Sequence, residues 1–132
     1  MPPLEIGMKA TRTKTISAED VEAFARISGD DNPVHLDDQY AATTRFGKRI
    51  AHGILTASVI SALLANDLPG PGTVYLSQTL TFKAPVYLGE TVTATAELIG
   101  YRADRRIATF KTTCHNQDGK LVLEGEAVVL AP

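Results

Sequence analysis

One long uncharged stretch constrains the fold of this chain more than any other feature. Between Ile50 and Asn66 there is no Asp, Glu, Lys or Arg, and the helix predicted over 51–68 would end at the Pro-Gly-Pro-Gly run of 69–72. A helix that is apolar on nearly all sides has to be buried on nearly all sides. The stretch contains polar residues and is too short to cross a bilayer, so we expect a core helix and no membrane partner.

Segments with the period-two alternation of β-strands accompany this helix. They are rich in Thr, Val and Leu, and Asp118-Gly119 between the last two is a hairpin signal. The most economical packing of such segments with one buried helix is a curved antiparallel sheet wrapped around it. We therefore predict an α+β fold with a long central helix and strands over 8–16, 74–82, 91–99, 107–115 and 121–130.

A second helix is predicted ahead of the central one. The segment Ser17-Ala18-Glu19-Asp20 resembles a capping box, apolar residues follow at helical spacing, and Gly29 ends the helix. A short helix over 37–42 and a turn over 45–48 then lead to the central helix.

The motif that carries chemistry is residues 29–35, with the sequence GDDNPVH. Pro33 has no N–H and pushes the residue before it out of the α conformation, so this segment cannot be helical throughout. On a bent loop, an acid such as Asp30 can converge with His35 on one small molecule and activate a water. The same residues are also ordinary turn chemistry, and composition alone does not choose Asp30 over the neighbouring acids.

Composition excludes several classes of function. The chain has 132 residues, 44% of them hydrophobic, which suits one domain spanning 1–132. A net charge of −2 and the lack of a long basic run argue against a nucleic-acid partner. Cys114 is the only cysteine, so no internal disulfide or cysteine metal cluster can form. The first ten residues lack the pattern of a signal peptide, and a cytoplasmic location is expected.

Further motifs accompany the heptapeptide along the chain. The set comprises Phe24, Ser28-Gly29-Asp30, Asn32-Pro33-Val34-His35, Ala51-His52-Gly53-Ile54-Leu55, Phe82, Pro85-Val86 and Gly89-Glu90. In these residues the chain resembles the MaoC-like hydratases. The resemblance implies that this chain forms a single hot-dog domain. Within this family it is most similar to the (R)-specific enoyl-CoA hydratases associated with polyhydroxyalkanoate supply.

The resemblance implies a reaction and its catalytic residues. The reaction is reversible addition of water to a trans-2-enoyl-CoA to give an (R)-3-hydroxyacyl-CoA, and the catalytic pair falls on Asp30 and His35. Negative charge that builds on the thioester oxygen needs a donor. The backbone N–H of Gly53 suits this role, because N–H groups at the start of a helix lack intrahelical acceptors. Asn32 is expected to support the loop or to orient the reacting groups.

The resemblance also implies substrate-binding residues and an assembly. Ser61 and Leu64 are three residues apart on the central helix and share a face. In the related hydratases the matching face lines the acyl pocket, so these two residues are expected to limit chain length. No metal and no cofactor are implied, since coenzyme A is the handle of the substrate, and the expected assembly is a homodimer.

Other residues have more ordinary expected roles. His52 is expected to cap or pack the central helix, His115 to be exposed and Cys114 to lie in the core. Basic residues usually form solvated surface, but three sets are candidates for contact with the coenzyme A phosphates. These sets are Arg45-Lys48-Arg49, Arg102-Arg105-Arg106 and Lys83.

Three other functions stay open at this point. A hot-dog acyl-CoA thioesterase would release free thiol from an acyl-CoA and would not hydrate an enoyl-CoA. A dehydratase acting on acyl-carrier-protein substrates would use the same chemistry in reverse. A non-catalytic acyl-CoA binding module would bind ligand without turnover.

Overall fold

The computed structural model describes residues 3–132 and confirms the α+β prediction. The elements in chain order are β1 (Lys9–Thr15), α1 (Ala18–Ser28), α2 (Pro33–Leu36), α3 (Asp38–Ala42), α4 (Gly53–Asn66), β2 (Val74–Gln78), β3 (Thr81–Phe82), β4 (Thr91–Arg102), β5 (Ile107–His115) and β6 (Leu121–Leu130).

All strands belong to one antiparallel sheet that stays open. Its order is β1-β4-β5-β6-β2, and β3 also pairs with β6. Helix α4 lies against β1, β4 and β5. On β4, alternate residues face this helix and are fully buried, and two of them are alanines, Ala94 and Ala96. Such small side chains let the helix approach the sheet closely.

The central helix is shorter and more exposed than the sequence predicts. It runs over Gly53–Asn66 instead of 51–68, and no helix within residues 3–132 is both long and apolar enough to cross a membrane. One side of α4 packs into the core through Val59, Ile60, Leu63 and Leu64. The opposite side is open to solvent in the isolated chain and carries Ile54, Ser58, Ser61 and Ala65.

The prediction of one continuous strand over 74–82 is wrong. The structure divides it into β2 and β3, with a register shift between Tyr75 and Ser77. After β2, Thr79 leaves the ladder and lies against Gly125 of β6, where a Cβ atom would overlap the Thr79 carbonyl oxygen. The break depends on a glycine 46 positions further along the chain, which the local alternation of 74–82 does not report.

Candidate active site

The end of α1 delivers Asp30 to the site. Gly29 adopts the left-handed conformation, with φ of 80°, and its N–H donates to the carbonyl of Ala25. The Ser28 hydroxyl donates to the Phe24 carbonyl at 2.7 Å and accepts the N–H of Asp30 at 3.0 Å. The chain therefore turns sharply at Gly29, which only glycine does at low cost.

A one-turn helix then delivers His35. Asn32 is its N-cap, and its Oδ1 accepts the N–H of Val34 at 3.1 Å, while Pro33 takes the first helical position. The Asp30 carboxylate accepts the N–H of Asn32 at 3.3 Å. Asn32 thus has the supporting role, and its binding of substrate stays a prediction. The loop expected over 30–35 is helical from Pro33 onward.

The environment of His35 leaves one ring nitrogen available as a base. Nδ1 lies 2.7 Å from the carbonyl oxygen of Ile50, which can only accept, so Nδ1 carries the proton and Nε2 is free. Burial is the main cause that lowers the pKa of His35 below 6.5. The neighbouring His52 lowers this pKa further, while the Ile50 bond and Asp30 oppose the shift. His35 is therefore neutral at pH 7, the form that accepts a proton.

His52 contacts both Asp30 and His35. Its Nε2 donates to the backbone carbonyl of Asp30 at 2.9 Å, and its ring stacks on that of His35 with centroids 3.9 Å apart. Phe24 packs on it at 4.8 Å. The predicted packing role is confirmed. His52 also occupies the N-cap position of α4, although its side chain makes no cap hydrogen bond.

These three residues form the only cluster of potential metal-ligating groups in the described part of the chain. One ligand atom each of Asp30, His35 and His52 lies within 4.8 Å of the others. The two imidazole rings are stacked, with 29° between their planes. Their in-plane lone pairs therefore do not converge, which disfavours a shared ion. A carboxylate and an imidazole at this separation instead leave room for one water, about 2.8 Å from each.

Gly53 faces an apolar cavity of about 440 Å³. It is the first residue of α4, so its N–H has no intrahelical acceptor and lies at the positive end of the helix dipole. A Cβ atom here would stand 2.6 Å from the Phe82 ring, which explains the glycine. The cavity is lined by His35, Arg45, Phe46, Ile50, Ala51, Gly53, Ile54, Thr56, Phe82, Lys83, Ala84, Pro85, Val86, Val122 and Leu123.

The structure does not bring Ser61 or Leu64 to this cavity. Leu64 is 2% exposed and belongs to the core, while Ser61 lies on the open side of α4. Three residues correspond to 300° of helix rotation, and here the boundary between core and solvent falls between the two side chains. A role for them in acyl binding stays a prediction.

The remaining expectations have mixed outcomes. Cys114 is fully buried, and burial raises the pKa of its thiol to about 12, which suits a core residue. His115 is half-buried instead of exposed. Of the basic residues, Arg45 and Lys83 line the cavity. Arg102 pairs with Asp104 at 3.2 Å and does not line it.

Sequence reasoning missed three neighbours of the pair. Besides the bond from His52 to Asp30, Arg49 Nε donates to the carbonyl of His35 at 2.7 Å, and the Ile50 carbonyl fixes the His35 ring. Arg49 acts through its side chain and Ile50 through its backbone carbonyl, and they lie 14 and 15 residues from His35 along the chain. The one available signal was their position directly before the His-Gly start of the uncharged helix.

Comparison with known proteins identifies solved structures with a similar fold. The solved structure of an (R)-hydratase from Aeromonas caviae, described as involved in PHA biosynthesis, superimposes with a TM-score of 0.95. The two are 50% identical, and 98% of each chain is covered. The protein therefore has the hot-dog fold, as the resemblance implied.

The family follows from the sequence comparisons. Residues 3–119 match the model of the MaoC like domain, and the chain belongs to this family. It is 51% identical over 126 residues to an (R)-specific enoyl-CoA hydratase of Rhodospirillum rubrum, covering 96% of this chain and 87% of the relative. It is 34% identical over 132 residues to a mitochondrial 3-hydroxyacyl-[acyl-carrier-protein] dehydratase of Arabidopsis thaliana, covering 98% and 78%.

Proposed function

We propose that this protein is an (R)-specific enoyl-CoA hydratase, a hydro-lyase that reversibly adds water to trans-2-enoyl-CoA to give (R)-3-hydroxyacyl-CoA. Two observations carry the proposal: a ligand atom of Asp30 and one of His35 lie within 4.8 Å of each other, and His35, whose Nε2 is free, lines the same cavity as Gly53. The similarity over nearly the full chain to proteins with this name supports it.

In the proposed mechanism, Asp30 and His35 hold one water against C3 of the enoyl thioester. The water oxygen bonds to C3 as its proton passes to the pair, and the C2–C3 double-bond electrons move toward the thioester carbonyl. The N–H of Gly53 donates to the oxygen on which negative charge builds. The pair then returns a proton to C2. Oxygen and proton both come from one side of the substrate, so the addition is syn.

This scheme needs neither a metal nor a redox cofactor. Hydration leaves the oxidation level of the substrate and water together unchanged, and every proton is moved by the pair. Coenzyme A serves as the handle of the substrate. Arg45 and Lys83 at the cavity wall are the proposed contacts of its phosphates, since Arg45 has no carboxylate within 4.0 Å in residues 3–132 and Lys83 is only loosely paired, 3.7 Å from Glu124.

A homodimer is the proposed assembly. The open side of α4 exposes Ile54, and the edge strand β2 exposes Val74, Tyr75 and Leu76 to more than 40% each. An unpaired strand edge with apolar side chains needs cover, and a second copy supplies it. Sedimentation of the purified protein is expected to give twice the mass of the 132-residue chain. An active monomer at micromolar concentration would contradict the proposal.

The product class suggests a place in metabolism. We propose that the protein supplies (R)-3-hydroxyacyl-CoA for polyhydroxyalkanoate synthesis, because a closely similar structure is described as involved in that process. The proposed location is the cytoplasm. A single cysteine, which cannot form an internal disulfide, is in keeping with a reducing compartment.

The experiment that tests the function follows the loss of conjugated enoyl absorbance after the protein is mixed with crotonyl-CoA. We expect rapid loss, an (R)-3-hydroxybutyryl product by chiral chromatography and no free thiol. The control variant is Asp31→Asn, which changes an exposed neighbouring acid and leaves the rate unchanged. Release of thiol without hydration would instead support a thioesterase, and binding without turnover a non-catalytic module.

A parallel assay distinguishes coenzyme A from acyl carrier protein as the carrier of the acyl substrate. The similarity to the Arabidopsis dehydratase favours acyl carrier protein as an alternative carrier. We expect kcat/KM to be higher for crotonyl-CoA than for crotonyl-acyl-carrier-protein. The reverse order would make the protein an acyl-carrier-protein-linked 3-hydroxyacyl dehydratase with the same catalytic pair.

A further inference from the structure

Thr56 is a buried threonine in the wall of the cavity, and its hydroxyl has no partner among residues 3–132. The residue is 2% exposed, and it lines the cavity together with Gly53 and His35. Its Oγ1 is shielded from solvent and makes no hydrogen bond to any part of the chain that the structure describes. The backbone N–H of Thr56 donates to the carbonyl of His52 in the usual helical way, but the hydroxyl does not.

A buried hydroxyl without a partner destabilises the folded protein. Most buried polar side-chain atoms in proteins are satisfied, so an exception in a cavity wall calls for an explanation. Valine has nearly the same shape and would fill this position in the core of α4 without the penalty. The hydroxyl is therefore best explained by a partner that is absent from the free protein and arrives with the substrate.

Helix geometry indicates which substrate atom this is. Gly53 and Thr56 both lie in the first turn of α4, and both line the cavity. Side chains on a helix lean toward its N-terminus, so the Thr56 side chain covers the turn that begins at Gly53. Because Gly53 has no side chain, an atom bound at its N–H lies within reach of the Thr56 hydroxyl.

We propose that Thr56 is a further catalytic residue, whose hydroxyl turns about χ1 on substrate binding and donates a hydrogen bond to the thioester carbonyl oxygen. That oxygen then has two donors, the Gly53 N–H and the Thr56 O–H. Thr56 makes no covalent bond and transfers no proton. The inference rests on the proposed hydratase function, because it assigns a group to the same oxyanion.

Thr112 offers a matched control. It is also fully buried, but its hydroxyl donates to the carbonyl of Gly125 at 2.9 Å and accepts from Gln78 at 3.0 Å. It lies on β5 and does not line the main cavity. A threonine-to-valine change therefore removes a satisfied hydroxyl at Thr112 and an unsatisfied one at Thr56.

The test compares Thr56→Val, Thr56→Ser and Thr112→Val, with kcat and KM for crotonyl-CoA hydration and the melting temperature of the free protein. For Thr56→Val we expect kcat to fall about 100- to 1,000-fold with little change in KM, because one oxyanion donor is lost. Its melting temperature should stay the same or rise. Thr56→Ser keeps the donor and should recover most of the lost kcat. Thr112→Val should melt lower and turn over normally.

Native kcat in Thr56→Val would overturn the proposal and leave the hydratase function intact, whereas a wild-type protein that fails to hydrate crotonyl-CoA would refute the function itself. A Thr56→Val variant that melts well below the wild type would also overturn the proposal, because the hydroxyl would then have a structural partner. A Thr56→Ser variant as slow as Thr56→Val would do the same, since the lost group would not be the hydroxyl.

Discussion

Replacing His52 by phenylalanine tests whether this residue positions the proposed catalytic residues Asp30 and His35. Phenylalanine keeps an aromatic ring between Phe24 and His35 but cannot donate to the carbonyl of Asp30, which now lies 2.9 Å from Nε2. Without that bond, the backbone that carries the Asp30 carboxylate is free to shift. A misplacement of about 1 Å in a catalytic group can cost on the order of 100-fold in rate, so we expect kcat to fall about 10- to 100-fold.

The effect of this change on stability should be small. Loss of the hydrogen bond leaves a partly buried carbonyl without its partner, which costs about 1–3 kcal/mol. However, His52 Nδ1 is itself buried without a partner in the described residues 3–132, and phenylalanine removes that penalty of about 1 kcal/mol or more. The gain offsets part of the cost, and we expect a net loss of about 1 kcal/mol in the free energy of unfolding. For a chain of 132 residues this lowers the melting temperature by about 4 °C.

The assay measures crotonyl-CoA hydration against pH for the wild type, His52→Phe and His52→Gln. Glutamine places an amide donor near the position of Nε2, so His52→Gln should lose less kcat than His52→Phe. Both variants remove a group that lowers the pKa of His35, so the acid limb of kcat/KM should move to higher pH in both. Native kcat together with an unchanged acid limb in His52→Phe would refute the positioning role.

Three further predictions concern the fold, the pH dependence and the oxyanion site. Gly125→Ala should lower the free energy of unfolding by about 3 kcal/mol or more in urea titration, because its Cβ would overlap the Thr79 carbonyl oxygen; a loss below about 1 kcal/mol would contradict this. The pKa of His35 lies below 6.5 in the folded state, so the unfolded chain binds the extra proton first. Both stability and kcat/KM should then be steady above pH 6.5 and fall as the pH drops through the folded-state pKa, and an acid limb centred above 6.5 would show that the shift has the wrong sign. Gly53→Ala would press a methyl group against the Phe82 ring. We expect a large fall in the kcat of crotonyl-CoA hydration and only a small fall in melting temperature, whereas native turnover would show that the Gly53 amide takes no part in the mechanism.

The regular parts of the fold could be predicted from local pattern. The strands β5 and β6 begin and end at the residues that alternation indicated, because both strands lie inside the sheet with a neighbour on each side. The capping box at Ser17 and the stop at Gly29 are also confirmed, since each depends on contacts within four residues. The break between β2 and β3 depends on Gly125, far along the chain, and local alternation carries no signal for it.

The candidate site also has features that the local sequence predicts and features that depend on distant parts of the chain. The segment from Asp30 to His35 could be singled out because a proline and a family motif lie within a few residues of each other. The free base on His35 could not, because the ring is fixed by the Ile50 carbonyl, 15 residues away, and its pKa is lowered mainly by burial. The proposed roles of His52 and Thr56 could not be predicted from the sequence either, because they depend on which of their polar atoms have hydrogen-bond partners in the folded protein.

The central claim is that Asp30 and His35 act together on one water, and a double-variant comparison tests it most directly. Asp30→Asn keeps an oxygen for the Asn32 N–H, and His35→Asn keeps a donor for the Ile50 carbonyl, so both should fold. Each single variant should lose at least about 100-fold in the kcat of crotonyl-CoA hydration, and the double variant should be about as slow as the slower single one. Losses that multiply in the double variant, or near-native turnover in either single one, would contradict the claim.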